Sequence, residues 1–409
     1  MSQPKRTLVQ HLLQIPVIVA ALGYLVDMYD LFLFSVVRVP SLKALQIPEE
    51  SLLPKGVFIL NMQLAGLLIG GVLWGVLGDK KGRLSVLFGS ITLYSLANIA
   101  NGMVTSYEQY AFLRFVAGIG LAGELGAGIT LVSEVLPKEI RGYGTTVVAT
   151  MGLLGAIAAN FVADWFDWRI SYFVGGGMGI LLLILRINVF ESGLYLHTRQ
   201  TQAKRGNFWM LLNNKQRLGK YLLSILVGIP IWFVTGILMT FSPEFGKTMG
   251  LPEPVLAGKA VMMAFSGQVI GDIISGLGSQ YLQSRKKIMA IFILLSFSFM
   301  LVYLLFPVQS NQGFYIICFL LGLCNGYWTI FITIAAELFG TNLRATVATS
   351  VPNFVRGTAI IFTTIFVALK PSLGIINGAL VIGVTSVLIA LVSLFFLEET
   401  FKKDLDYIE

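Results

Sequence analysis

The chain has 409 residues and a mass of 44.7 kDa, with 56% of positions apolar, 12% charged and a mean hydropathy of +0.80, against about 25% charged in soluble domains. At about 20 apolar residues per crossing helix plus a short connection, this composition describes a polytopic membrane protein of about twelve spans with no room for an appended soluble enzyme domain. Two histidines and two cysteines exclude a histidine-built metal site or a disulfide framework; Cys318 and Cys324 share one apolar stretch and read as small buried hydrophobes.

The predicted spans are 15–38, 55–78, 84–103, 108–136, 142–163, 169–189, 221–243, 255–282, 288–306, 312–340, 344–369 and 373–397. The first apolar run begins near Ile15 and has no small-residue cleavage site, so it is a permanent helix rather than a removed signal. With the N-terminus in the cytoplasm, twenty of the 29 Lys and Arg fall on that side, Arg186 among them, and seven on the other; Arg114 and Arg356 lie within spans. By the positive-inside rule this places both termini in the cytoplasm and the protein in the plasma (inner) membrane. The net charge of +8 is therefore a topology signal and not a nucleic-acid footprint.

In chain order, span one carries Asp27, Tyr29 and Asp30, and the loop after span two reads Gly75-Val-Leu-Gly-Asp79-Lys80-Lys81-Gly82-Arg83. Span four carries Arg114, Gly118, Gly120 and Gly123-Glu124-Leu125-Gly126, and closes on Glu134-x6-Arg141. Trp168-Arg169 precedes span six and Glu191-Ser192 follows it. The one long polar stretch, 191–220, reads as a cytoplasmic linker between bundles at 1–190 and 221–409. A slide of 201 residues lays Gly66, Gly70 and Gly75 on Gly267, Gly271 and Gly276, and a slide of 203 lays Gly123, Glu134 and Arg141 on Gly326, Glu337 and Arg344. Six spans separate the copies, so both run in the same direction and the halves should face each other across a cleft.

These motifs resemble the major facilitator superfamily, whose loop between spans two and three reads Gly-x-x-x-Asp-Arg/Lys-x-Gly-Arg. The second copy of that loop is degraded, with Gln280 at the Asp79 position and Arg285-Lys286-Lys287 supplying charge. Tyr29-Asp30 is similar to a dipeptide of proton-coupled sugar, sialate and organic-acid symporters, and Gly123-Glu124-Leu125-Gly126 to the Gly-Glu-aromatic-Gly run of the sialate and metabolite branches, with Leu125 departing from the aromatic. The Gly-Pro pair typical of antiporters in span five is missing. The resemblance implies an all-α fold of two parallel-repeat six-helix bundles, alternating access about a mid-membrane site, and a proton gradient rather than a cofactor as the energy source.

An ionisable group in hydrocarbon costs on the order of 3 kcal/mol, so Asp27, Asp30, Arg114, Glu124, Asp272 and Arg356 must face a cleft or one another. At 1.5 Å per residue, Asp30 and Arg114 lie at about equal depth, which makes an ion pair feasible. Two neighbouring carboxylates beside one guanidinium leave one acid prone to protonation; Asp30 is expected to carry the proton, gated by Arg114, with Asp27 or Glu124 as second acid. In the second bundle Asp272 and Arg356 also match in depth: either they pair, or Arg356 faces the cleft and binds a substrate carboxylate. Tyr29, Gln268, Asn325, Tyr327, Trp328 and Asn353 complete the expected substrate set. Asp79, Arg83, Glu134, Arg141, Glu191, Glu337 and Arg344 lie at inner helix ends and are expected to form a cytoplasmic gate.

Gly118-x-Gly120-x-x-Gly123 spells a dinucleotide fingerprint, but it lies mid-span with no preceding strand, and close helix packing accounts for it. Gly246-Lys247-Thr248 lacks the glycine of a phosphate loop. The chain is thus expected to be a monomeric secondary transporter, not an enzyme, that takes up a small polar organic acid or zwitterion with protons across the bilayer. Neutral sugar or polyol symport, export or antiport, and a non-transporting nutrient sensor on the same scaffold are the alternatives.

Overall fold

A computed structural model describes residues 8–81, 83–136, 140–190, 209–306 and 308–401. In chain order the helices are α1 (Ile15–Ala44), α2 (Leu52–Lys81), α3 (Arg83–Asn101), α4 (Tyr107–Leu121), α5 (Glu124–Val135), α6 (Arg141–Trp165) and α7 (Trp168–Phe190). They are followed by α8 (Lys215–Phe233), α9 (Ser242–Met249), α10 (Ala257–Tyr281), α11 (Arg285–Leu305), α12 (Asn311–Cys324), α13 (Trp328–Glu337) and α14 (Thr341–Phe396). Among the described residues, nine helical stretches are long and apolar enough to cross a membrane. The shorter Val86–Asn101 segment, the broken α4–α5 span and the reversal of α14 at Gly374 bring the passes to the twelve expected. Of the expected linker, 191–208 lie outside the described residues, and Lys215 onwards already belongs to α8.

Spans in hydrocarbon must satisfy their backbone internally, and the chain does so with helices whose starts are capped by side chains near the ends of the spans. Ser106, Asn214, Ser284 and Ser310 each accept from backbone N–H groups of the first turn that follows. The repeated glycines explain how the helices approach. A Cβ on Gly66 would strike the carbonyl oxygen of Phe115, and one on Gly118 that of Gln63, so α2 and α4 cross backbone to backbone. The same crossing recurs between α10 and α12, where Gly267 meets the carbonyl of Phe319 and Gly322 that of Ala264. Small residues bring apolar helices into contact where no hydrophobic effect drives them together.

The first seven helices form one bundle and the last seven the other. In α1 and α8, 83% of the most apolar stretch is buried, against 39–56% in the other spans, so these two are the inner helices and their polar groups cannot face lipid. Beyond Phe233, α8 widens into a π-helical turn over Val234–Met239, a deviation often found at functional sites.

We call the end carrying the first described residues proximal and the opposite end distal. Distally the bundles are bridged. The Arg38 guanidinium at the end of α1 donates to Glu244 of α9 at 2.7 Å and to the Thr240 carbonyl at 3.3 Å, and it stacks on the Phe241 ring at 4.7 Å. Thr240 also accepts from the Ser35 hydroxyl, its own proton going to the Thr235 carbonyl, and Thr363 of α14 donates to Asn61 of α2 at 2.6 Å. Among the described proximal residues, by contrast, the ion pairs stay within one bundle: Arg285 with Glu337 at 2.7 Å and Lys220 with Glu398 at 3.3 Å. Glu399 accepts from Ser284 and from the backbone N–H groups of Arg285 and Lys286, fastening the chain's last described turn to the start of α11. Burial alone would raise its pKa; the hydrogen bonds from Ser284 and from backbone N–H groups outweigh that and hold it below the ordinary glutamate value.

Arg38 is fully buried while Glu244 is partly exposed, so loss of the carboxylate leaves a buried cation without its counter-charge. Glu244→Gln is expected to weaken the distal closure by about 1.5 to 3 kcal/mol. A cysteine placed at the buried Thr235 should then react with a bulky water-soluble maleimide, and should stay unreactive when Glu244 is present.

Candidate functional site

Between the two bundles lies an open pocket, with about 280 Å³ of empty space when the adjoining solvent is counted. α1 contributes Tyr24, Met28 and Phe32; α6 contributes Leu153; α8 and its π turn contribute Ile231, Trp232 and Thr235. α10 adds Phe265 and Gln268, α13 adds Trp328, and α14 adds Arg356. Phe32 is the centre of the aromatic wall: it stacks on Trp232 at 5.8 Å and meets Phe265 edge-on at 4.5 Å. The rest is a few polar groups, Gln268, Thr235, Tyr24 and one guanidinium. The lining thus sets one cationic donor beside flat apolar faces.

Arg356 supplies the charge. It is buried and makes no ion pair among the described residues. Its Nη1 donates to the Asn353 side-chain oxygen at 3.3 Å, and its Nη2 reaches across to the Met28 sulfur at 3.8 Å. Its Nε and the Tyr24 hydroxyl have no hydrogen-bond partner among the described residues. Unsatisfied buried donors at a pocket wall are the complement of an acceptor that arrives from outside. Of the two arrangements the sequence left open, pairing with Asp272 is not made, and Arg356 lines the pocket. The Asp272 carboxylate instead accepts from the Thr329 N–H at 3.1 Å, where it caps the broken start of α13. A helix N-terminus offers amide donors that have no partner within the helix, and a carboxylate is stabilised there.

The acids of α1 stand behind the aromatic wall. Asp27 and Asp30 are both fully buried, and none of their four carboxylate oxygens has a hydrogen-bond partner among the described residues. Asp27 lies within electrostatic reach of Arg356 and Glu124. Asp30 lies against Gly175 of α7, where any Cβ would collide with its oxygen. Arg114 does not bond the Asp30 carboxylate as expected: its Nη2 donates to the Asp30 backbone carbonyl at 3.1 Å and its Nη1 to Asn98 at 3.0 Å. The guanidinium thus holds the helix at Asp30 and leaves the carboxylate unbonded.

Glu124, by contrast, is saturated. Arg186 grips it with both amino groups, at 2.9 and 2.7 Å, and Ser90 donates to the same carboxylate at 3.1 Å. Arg186 was counted with the cytoplasmic charges, yet it is buried inside the first bundle. Its signal in the sequence is its position inside the predicted span 169–189, where a base needs a partner as much as Arg114 does.

Of the expected substrate residues, Gln268, Trp328 and Arg356 line the pocket. Tyr29 donates to the Ser171 carbonyl at 2.8 Å, Tyr327 to that of Val227 at 3.4 Å, and Asn325 to that of Ile231 at 3.4 Å, so these three hold helices together. Asn353 links the bundles by donating to the Ala122 carbonyl at 3.1 Å, which the α4–α5 break exposes. Tyr24, Phe32, Trp232, Thr235 and Phe265 were not anticipated; in the sequence they are ordinary members of apolar runs. Of the expected cytoplasmic gate, Glu337 pairs within its own bundle with Arg285. The side chains of Asp79, Arg83, Glu134, Arg141 and Arg344, and the whole of Glu191, lie outside the described residues. Among the described residues no cluster of His, Cys, Asp or Glu could hold a metal ion.

Residues 20–364 match the Major Facilitator Superfamily. The chain belongs to that family. It is similar to the cis,cis-muconate transport protein of Acinetobacter baylyi, with 26% identity over 95% of each chain. It is also similar to the niacin transporter NiaP of the same organism, with 30% identity over 186 residues, which is 44% of this chain and only 41% of the relative's length. Its fold is that of the D-xylose-proton symporter, at a TM-score of 0.72 and 19% identity over 95% of this chain and 98% of that one. A multi-pass transporter of this family, not an enzyme, is what the pocket belongs to.

The Glu124–Arg186 pair yields a measurable signature. Removing one member strands a buried charge, and Arg186→Met or Glu124→Gln should each cost about 3 to 5 kcal/mol. Thermal unfolding in detergent should drop sharply for each single variant, and the double variant Glu124→Gln/Arg186→Met should regain most of the loss.

Proposed function

We propose that the protein is a proton-coupled symporter that takes up a small, planar, unsaturated carboxylate. Supporting this most directly is Arg356, a buried guanidinium without an ion-pair partner among the described residues, set at the wall of an aromatic pocket. A guanidinium fork matches a carboxylate, and flat rings favour a conjugated or aromatic body. Niacin and cis,cis-muconate, after which the two similar transporters are named, have this chemistry. The neutral polyol alternative loses support because Asn325 and Tyr327 are engaged with backbone carbonyls.

In this reading Asp27 and Asp30 carry the coupling. Asp27, in reach of Arg356, senses whether an anion occupies the pocket, and Asp30, beside Arg114, exchanges with the far side. The proximal face is cytoplasmic, as the distribution of Lys and Arg requires, and the chain works as a monomer in the plasma membrane. The bundles 1–190 and 221–409 rock about the pocket. The Arg38–Glu244 bridge closes the outer end while the inner end opens, and the Asp79, Arg83, Glu134, Arg141, Glu191, Glu337 and Arg344 set closes the inner end in the opposite state.

Arg356→Gln removes the charged partner, a change of about 2 to 5 kcal/mol for a bound carboxylate. In a binding titration it should weaken nicotinate far more than nicotinamide; equal weakening of the two would make Arg356 structural and this assignment wrong. Asp30→Asn should abolish accumulation of the acid in vesicles under an inward proton gradient while leaving exchange of labelled for unlabelled acid, since the amide resembles the protonated state. Loss of both activities together would remove Asp30 from the coupling.

A further inference from the structure

Asp30 lies eleven residues below Ser41, near the outer end of α1, a depth of about 16 Å along the helix. The Arg38–Glu244 closure sits above it, so a proton arriving from outside needs a route through protein. Three linked hydroxyls lie between these levels in the first bundle. The Tyr110 hydroxyl donates to Ser41 at 3.3 Å and shares a 2.7 Å hydrogen bond with the Tyr172 hydroxyl, and Ser41 donates to the Arg38 carbonyl at 3.1 Å. All three side chains are fully buried. They come from three different helices, α1, α4 and α7.

At its inner end the chain meets the acid's surroundings. The Tyr172 ring faces the Arg114 guanidinium at 5.3 Å, and one turn further along α7 is Gly175, against which the Asp30 carboxylate packs. Tyr172 and Asp30 are in electrostatic reach of each other. The polar groups around Asp30 are Arg114 from α4, Asn98 and Tyr94 from α3, Tyr172 from α7, and Asp27 and Tyr29 on its own helix. Tyr29 is committed to the Ser171 carbonyl and takes no part. Packing alone would be served by phenylalanine at 110 and 172, because a buried hydroxyl gains nothing over an apolar ring unless it is hydrogen-bonded.

We propose that Ser41, Tyr110 and Tyr172 form a proton relay that loads Asp30 from the outer face; the inference rests on the proton-coupled reading above. In the transfer, which begins when opening of the distal end admits water to the buried Ser41, a hydronium ion gives a proton to Ser41 Oγ and leaves as water. The Ser41 proton passes to Tyr110 Oη and the Tyr110 proton to Tyr172 Oη; the Asp30 carboxylate, unbonded at rest, must swing about its side-chain torsions to reach Tyr172 Oη and take the last proton. Every hydroxyl ends neutral, and the single positive charge that entered is cancelled on Asp30. The observed polarity fits this direction. A carbonyl can only accept, so Ser41 must donate to Arg38, and Tyr110 must therefore donate to Ser41. Outward-pointing hydroxyls are the arrangement left after a proton has moved inward, and rotation of the three groups resets the chain.

The test uses the full chain in lipid, acidified rapidly from the outer side while the infrared carboxyl band is followed; the band of Asp30 is the one lost in Asp30→Asn. Tyr110→Phe and Tyr172→Phe are each expected to slow the rise of that band about tenfold or more without changing its final height. Ser41→Ala should behave likewise, and Ser41→Thr, which keeps the hydroxyl, should restore the rate. A relay alters the rate and not the equilibrium, so a changed final height at an unchanged rate would show that the tyrosines act only as electrostatic neighbours and overturn the proposal. Unchanged rates in all three hydroxyl-deleted variants would overturn the relay and leave proton coupling intact. Absence of any band belonging to Asp30 would overturn coupling through that acid and the relay with it.

Discussion

A guanidinium cannot be left bare in hydrocarbon, and this structure is arranged around four that are almost wholly buried: Arg38, Arg114, Arg186 and Arg356. Each solves its desolvation differently. Arg186 has a carboxylate held at two points, Arg38 has a carboxylate together with carbonyls and a ring, and Arg114 has a carbonyl and an amide. Arg356 has an amide, a thioether and a tryptophan face at 5.9 Å, the poorest set of the four. Arg186 is thus saturated within its own bundle, Arg38 bridges the two bundles, Arg114 stands beside an acid, and Arg356 is left with the weakest partners. A buried cation with weak partners is tolerable where a counter-ion visits.

These groups can sit where they do because the helices around them touch so closely. Where α2 meets α4, and α10 meets α12, glycine lets backbone lie on backbone, while α1 and α8 are the most deeply buried spans. The breaks at Gly123 and Gly326 follow from the same crowding. Each break ends one half-helix and starts another next to a carboxylate, Glu124 in the first bundle and Asp272 in the second. The duplicated halves have therefore kept a common backbone plan and specialised it, one for an internal ion pair and the other for a capped half-helix beside the pocket.

The fold was legible in the sequence because hydrocarbon imposes a simple rule on it: runs of about 20 apolar residues, positive charges between them, and glycines repeated at a fixed offset. The acidic and basic residues of the interior were legible for the same reason, since six charges inside spans stand out against an apolar background. Their pairings were not. Depth along a helix can be counted, but rotation about the helix cannot. Asp30 and Arg114 met through a backbone carbonyl instead of a carboxylate, and Asp272 met an amide N–H in preference to Arg356. The aromatic wall was hidden more deeply. Nothing distinguishes Phe32, Trp232 or Phe265 from the many aromatics that face lipid until the bundles are assembled, and Arg186 was overlooked because a base near the end of a span reads as a flanking charge.

One residue near the end of the chain governs its bookkeeping of sides. The 56 residues from Thr341 to Phe396 form an unbroken helical run except at Gly374, whose φ of 75° is open to glycine and costly for any residue with a side chain. A straight helix of that length would measure about 84 Å, nearly three times the thickness of the hydrocarbon layer. The left-handed turn folds this rod into two antiparallel crossings. A single dihedral angle thereby makes the number of crossings even, and an even number is what returns the end of the polypeptide to the side from which it started.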